Sequence, residues 1–120
     1  MTRAALAMCE NIDWNVRRVL ANLDRLKLRD NTIVVLCVDH GYQLGEKGKW
    51  SKAGSLFEMG TRVPLIISAP GIKGNGRECF RPVQSLDIYP TLSAPCHLPP
   101  PPQVPPAPNL LPLPPDPGAD

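Results

Sequence analysis

The chain has 120 residues and a mass of 13.1 kDa, enough for one small domain or a piece of a larger one. All 13 basic residues and nine of the 11 acidic ones precede residue 95, a net charge of +4 there, whereas twelve of the 16 prolines lie from Pro95 onward. No apolar run approaches the roughly 18–20 residues of a membrane span, Cys9-Glu10-Asn11 cuts the opening apolar stretch too short for a signal peptide, and dispersed positive charge with few aromatics argues against nucleic-acid binding.

Residues 5–28 read as an amphipathic helix. Met8, Ile12, Val16, Val19, Leu20, Leu23 and Leu26 recur in steps of three and four and form one apolar stripe. Arg17, Arg18, Asn22, Asp24 and Arg25 fall mostly off it. Thr32 to Val38 is a continuous run of β-branched and apolar residues, the pattern of a strand covered on both faces in a parallel α/β sheet. Cys37 within it is expected to be a buried free thiol. The four cysteines (Cys9, Cys37, Cys79, Cys96) show no metal-type spacing.

Asp39-His40-Gly41 closes that run, where ligands bind at the carboxyl edge of an α/β sheet. Residues 41–62 carry five glycines and no period, which predicts a long irregular loop with one helical turn near Leu56-Phe57-Glu58. Trp50, Tyr42 and Phe57 make it a packed, functional loop. Val63 to Ala69 is a second apolar strand with Pro64 near its start. Val83 to Leu92 begins a short helix, with Ser85 or Asp87 as N-cap and Pro90 in the first turn. The division expected is a partial domain over residues 1–94 and a disordered, proline-rich tail over 95–120, extended as polyproline II. A core of about 90 residues buries only roughly 60–65% of its unfolded surface. A lone helix with two buried-type strands leaves apolar faces uncovered, so the isolated chain is expected to aggregate or to form a poorly ordered monomer.

Asp39 and His40 are the sharpest chemical signal. A carboxylate beside an imidazole at a strand end ligates a metal or moves a proton, and both reach one site only where the strand frays. The competing reading is a capping Asp with a His satisfied by the backbone. On residue chemistry alone the metal would be zinc. Lys52, thirteen residues on, suits an anionic substrate such as a sulfate or phosphate ester. Lys47 and Lys49 are alternatives for that role, solvated loop lysines are the plainer one, and Glu46 would pair with a nearby lysine.

Asp30 to Val35, then Asp39-His40-Gly41-Tyr42-Gln43-Leu44-Gly45-Glu46-Lys47-Gly48-Lys49-Trp50-Ser51-Lys52, resembles the sulfatase family, in its iduronate- and choline-sulfatase branch. Phe57-Glu58, Thr61 to Ile67 with Ala69-Pro70-Gly71, and Val83 with Leu86 to Leu92 match in order. The helix carrying Asp13 and Val16 to Leu20 matches as well, so the likeness covers about residues 8–94. The resemblance implies that Asp39 and His40 ligate calcium, that Lys52 reaches the sulfate group, and that the Thr61 to Pro64 segment supports the site. In the family a hydrated formylglycine attacks sulfur and an alcohol or amine leaves.

Formylglycine arises from Cys/Ser-x-Pro-x-Arg, and this sequence has none. Ser93-Ala94-Pro95-Cys96-His97 has His in place of Arg. The family's acidic ligand pair is missing too, and calcium takes about six to eight ligands. The expectation is therefore an α/β fold, a partial alkaline-phosphatase-like sandwich, in a carboxyl-side fragment of a sulfatase. Such a fragment would be inactive alone, act on a sulfate ester only with the missing upstream segment, bind no nucleic acid and contain no membrane span. A phosphate or phosphonate ester hydrolase of the same superfamily is the alternative enzyme. An interaction segment using the proline-rich tail is the non-enzymatic one. Members of the family are often exported. Leu98 to Pro102 and Leu110 to Leu113 loosely echo the family's continuation.

Overall fold

A helix without internal Gly or Pro opens the chain, and its end is written in the backbone. The structure, a computed structural model, describes residues 2–52, 56–99 and 109–111. Helix α1 spans Thr2–Arg25, three residues earlier at each end than the periodicity indicates. Lys27 takes a left-handed φ of 57°. There the Leu28 N–H reaches the Leu23 carbonyl at 2.9 Å and the Lys27 N–H reaches Asp24 at 3.0 Å. This is a Schellman closure with lysine where glycine is usual. Asp13 and Arg17 pair at 3.0 Å one turn apart, and the Arg18 guanidinium lies 4.5 Å from the Trp14 ring centroid. Among the described residues no helix is long and apolar enough to cross a membrane.

Residues Met1–Pro70 form one compact unit and Gly71–Asp120 a second. The sheet belongs to the first. Strand β1 (Val34–Cys37) pairs antiparallel with β2 (Leu65–Ser68), with Val34 opposite Ser68 and Cys37 opposite Leu65. This corrects the expected parallel, two-face-covered strand: among the described residues of 38–64 the one α-helical turn is α2 (Glu58–Thr61), and none forms the crossover helix that a parallel pair would need. In β2 the residues alternate, Leu65 and Ile67 half-buried and Ile66 and Ser68 exposed. Val34, Val35 and Leu36 are half-buried, whereas Cys37 is exposed, contrary to the buried thiol expected of it. A run of apolar residues reports its preference for burial and cannot by itself supply the cover.

The same holds for α1. Val16, Leu20 and Leu23 of its stripe are half-buried, but Met8, Ile12, Val19 and Leu26 are exposed, and the helix buries no residue. Ala69 is the sole buried apolar residue among those described. Among the described residues the α/β composition is present as helices and a two-stranded antiparallel sheet.

In the second unit, a 3-10 turn over Ser85–Asp87 leads into α3 (Ile88–Ser93), with Asp87 at its N-cap and Pro90 in the first turn. The Asp87 carboxylate accepts the Gln84 N–H at 2.8 Å. Thr91, fully buried, donates its hydroxyl to the Asp87 carbonyl at 2.6 Å and accepts the Leu110 N–H at 3.0 Å. Most of the proline-rich tail, including the extended stretch expected after Pro99 and the Pro112-Leu113 echo, lies outside the described residues.

With its apolar stripe uncovered, the purified chain should bind a hydrophobic dye such as anilinonaphthalene sulfonate and unfold in a broad transition. Calorimetry showing a sharp cooperative melt of a monomer would contradict the exposed stripe as the chain's solution state.

Candidate functional site

Strand β1 stops at Cys37, two residues before Asp39, so Asp39 and His40 sit on irregular backbone. Released from strand alternation, their side chains converge. His40 Nε2 lies 3.2 Å from Asp39 Oδ2, and Asp39 Oδ1 accepts the His40 backbone N–H at 2.9 Å. His40 Nδ1 lies 3.1 Å from the Gly41 carbonyl oxygen. A carbonyl only accepts, so Nδ1 carries the hydrogen. The other ring nitrogen, Nε2, then faces a carboxylate oxygen. Two electron-rich atoms at that distance repel unless a cation, a proton or a metal, is shared between them.

The loop after Gly41 is more ordered than its glycine content suggests. Tyr42 and Lys52 are antiparallel partners. Above them the Gln43 N–H reaches Ser51 O at 3.1 Å and the Gly45 N–H reaches Lys49 O at 2.9 Å. A 3-10 turn over Glu46–Gly48 forms the tip. The result is a narrow hairpin where an irregular loop was expected. Gly45, at φ 113°, also leaves room for the Trp50 ring: a Cβ there would sit 2.9 Å from it. Glu46 accepts the Leu44 N–H at 2.6 Å and does not pair with a lysine among the described residues. Lys47 holds a left-handed backbone, φ 52° and ψ 29°, which costs a non-glycine residue roughly 1–2 kcal/mol.

Gly41 anchors this hairpin to α2. Its N–H reaches Gly60 O at 3.0 Å, and a Cβ on it would stand 1.9 Å from the Met59 carbonyl oxygen. No side chain fits there. Opposite, the Arg62 guanidinium pairs with Glu58 at 2.9 Å, and the Lys47 and Lys49 ammonium groups lie 3.7 and 5.8 Å from the centroid of Phe57.

The hairpin returns Lys52 to Asp39. The Asp39 carboxyl is held below its ordinary range chiefly by the His40 backbone N–H. Partial burial opposes this, and the positive charges of His40 and Lys52 add to it. Asp39 is mostly exposed and His40 about one third exposed. The structure thus brings together Asp39, His40 and Lys52, whereas Lys47 and Lys49 gather on Phe57. No third His, Cys, Asp or Glu joins them in a metal-sized cluster among the described residues. Gln43 escaped the sequence reading. It is 1% exposed with both side-chain amide atoms unpartnered among the described residues, although period-two alternation from Tyr42 inward would have placed it on the face away from Lys52.

Comparison with known proteins places the chain in a class. Residues 1–95 match the family model described as sulfatase. The chain is 42% identical over 90 residues to a sulfatase of Formosa agariphila, covering 75% of this chain and 17% of that protein. It is 38% identical over 91 residues to a choline-sulfatase of Rhizobium meliloti, with 76% and 17% covered. Over 60 residues it is 47% identical to mouse iduronate 2-sulfatase, 50% of this chain and 11% of that one. No solved structure matches. The chain belongs to the sulfatase family, a family of enzymes, and spans about one sixth of the length of the first two relatives.

Two substitutions probe the assembly. Lys52→Met should raise the titration midpoint of Asp39, followed by carboxyl carbon NMR, because it removes a cation that stabilises the carboxylate. The carboxylate is favoured in the folded chain above the ordinary Asp range, and that contribution disappears as pH falls through the lowered midpoint. Gly41→Ala should cost about 2 kcal/mol or more of unfolding free energy by forcing the 41 and 59 backbones apart. It should also move the Asp39 midpoint upward, as Lys52→Met does, if hairpin closure is what delivers the ammonium.

Proposed function

We propose that residues 39–52 carry part of the metal and sulfate site of a sulfuric ester hydrolase, with Asp39 and His40 as metal ligands and Lys52 as the sulfate-binding residue. The observation that supports this best is the 3.2 Å approach of His40 Nε2 to Asp39 Oδ2 with Nδ1 turned to the Gly41 carbonyl. Metal-ligating histidines typically spend their other ring N–H on a backbone carbonyl or a carboxylate, which fixes the ring and its tautomer. The low Asp39 midpoint keeps its oxygens available as ligands in mild acid.

Calcium is the proposed ion, on the family resemblance. The donor set fits it in part: a carboxylate is the hard oxygen ligand calcium takes, an imidazole nitrogen is a softer one, and two donors fill a small share of about six to eight positions. A cation there would polarise the ester's sulfate oxygens as a Lewis acid. Lys52 supplies an ammonium that donates to a sulfate oxygen and balances its charge. Gly41 and the Tyr42–Lys52 pairing bring Lys52 back to where its charge acts on the Asp39 carboxylate, so positioning is carried by the backbone.

The sequence holds no Cys/Ser-x-Pro-x-Arg from which a formylglycine could form, so the 120-residue chain is proposed to be inactive by itself. Residues 1–94 form the sulfatase portion in this reading and residues 95–120 a tail outside the site. Sulfate release from an aryl sulfate by the purified chain would refute the inactivity. Phosphate release from an aryl phosphate would favour a phosphoester hydrolase instead.

Calcium titration tests the ligand assignment. The chain should bind calcium weakly, with a Kd of about a millimolar or above, read by calorimetric titration. Asp39→Asn and His40→Ala should each abolish the response. Equal binding by either variant and the parent chain would remove the pair from the metal site.

A further inference from the structure

We propose that Asn75 in the second unit is a self-modifying site: the Gly76 backbone nitrogen displaces ammonia from its side chain, and the residue becomes aspartate or isoaspartate without an enzyme. The conversion needs nothing from residues 39–52.

An asparagine lost to its own backbone makes two demands on the next residue. That residue must have an N–H with no acceptor to give up, and little bulk at its Cα. The chain has six asparagines. Asn11, Asn15 and Asn22 lie inside α1, where Ile12, Val16 and Leu23 follow and the helical ladder holds each N–H. Thr32, after Asn31, donates its N–H to Arg29 O at 3.4 Å, and Leu110, after Asn109, donates to the Thr91 hydroxyl at 3.0 Å. Asn75 differs on both counts. It is followed by Gly76, whose N–H donates to no acceptor among the described residues.

The local backbone leaves room for ring closure. Residues 73–76 form an exposed turn, in which the Asn75 N–H reaches Ile72 O at 3.3 Å and the Arg77 N–H reaches Gly74 O at 3.1 Å. Gly76 holds a left-handed φ of 79°, and a Cβ on it would meet nothing within 4 Å among the described residues. A Cβ on Gly74 would meet Ile72 Cγ2 alone, at 3.9 Å. Lys73 and Arg77 flank the turn with positive charge, which favours the amide anion that attacks.

In the first step the Gly76 nitrogen gives its proton to water and bonds to Asn75 Cγ. The Cγ–Nδ2 bond breaks, and the nitrogen leaves as ammonia with protons from solvent. Water then opens the five-membered succinimide. Cleavage between Cγ and the Gly76 nitrogen gives aspartate; cleavage between the Asn75 backbone carbonyl carbon and that nitrogen gives isoaspartate. Nothing is oxidised or reduced. Either product puts a carboxylate where an amide stood and lowers the formal net charge of +2 by one unit. Isoaspartate also adds a carbon to the main chain inside the turn that the Gly74–Arg77 hydrogen bond closes. The turn is thus a one-way clock, its charge and geometry recording the age of the chain.

The test incubates the full chain at neutral pH over days. Endoproteinase Lys-C cuts after Lys73 and releases residues 74–120, in which electron-transfer fragmentation locates the conversion and tells isoaspartate from aspartate. An isoaspartyl methyltransferase with a labelled methyl donor measures the same product independently. Asn75 should convert before the other five asparagines. Asn75→Gln should abolish the methyl label, and Gly76→Ala should slow its appearance at least about tenfold, a barrier change of about 1.4 kcal/mol. Alanine at this positive φ is strained, so the parent chain is also incubated in urea. A native rate within about tenfold of the urea rate supports an open turn, and a slower one shows the fold protecting the site and overturns the proposal. Conversion of another asparagine ahead of Asn75, or Gly76→Ala converting as fast as the parent, overturns it as well.

Discussion

Thirteen positions separate Asp39 from Lys52, and the antiparallel closure of Tyr42 on Lys52 removes that separation. The closure depends on Gly41, whose bare Cα lets the backbone lie against the Met59 carbonyl, and on Gly45, which makes room for the Trp50 ring. Neither glycine touches a ligand in the proposed chemistry. Both shape the hairpin through which the charge of Lys52 reaches the Asp39 carboxylate. A hairpin held mainly by backbone hydrogen bonds is a sound base for this task, because few of its side chains are spent on holding it together.

That arrangement explains why some of the site was legible in the sequence and some was not. Asp39-His40-Gly41 after an apolar run marked a strand end, and convergence of the first two side chains required only that the strand stop early, which it does at Cys37. Helix α1 and the turn at Glu58 were legible because three-and-four spacing and local composition are short-range signals. Strand direction was not. A seven-residue apolar run is compatible with parallel or antiparallel pairing, and the choice lies in what the intervening chain does. Here it turns back, and the strands shorten to four residues each. The order within residues 42–52 was also hidden, since glycines read as irregularity until their positive φ angles are seen to serve a tip and a packed indole. Gln43 carried no signal beyond alternation, and the structure offers its amide no partner among the described residues.

The helix and the sheet share one property. Each has the residue pattern of an element with a partner, and neither buries it fully: the helix shows much of its stripe to solvent, and the strands leave their apolar residues half-buried or, at Ile66, exposed. Burying a Leu, Ile or Met side chain is worth roughly 1.5–3 kcal/mol, and Met8, Ile12, Val19, Leu26 and Ile66 forgo most of it. The described residues therefore gain little from a hydrophobic core. Order within each unit comes instead from backbone closure and local polar contacts, such as the Schellman turn after α1 in the first and the Thr91 hydroxyl bridge in the second.

Charge bookkeeping ties the site together. With Nδ1 turned to the Gly41 carbonyl, His40 directs Nε2 at the Asp39 carboxylate, and the positive charge of Lys52 acts on the same carboxylate. In the proposed reading, a sulfate monoester, itself an anion, would gain from a cation held by Asp39 and His40, and Lys52 would add a second positive charge to the same surface. Two protein donors are few against the about six to eight ligands calcium takes, so a substrate that helped to complete the cation's shell would make substrate and metal favour each other's binding.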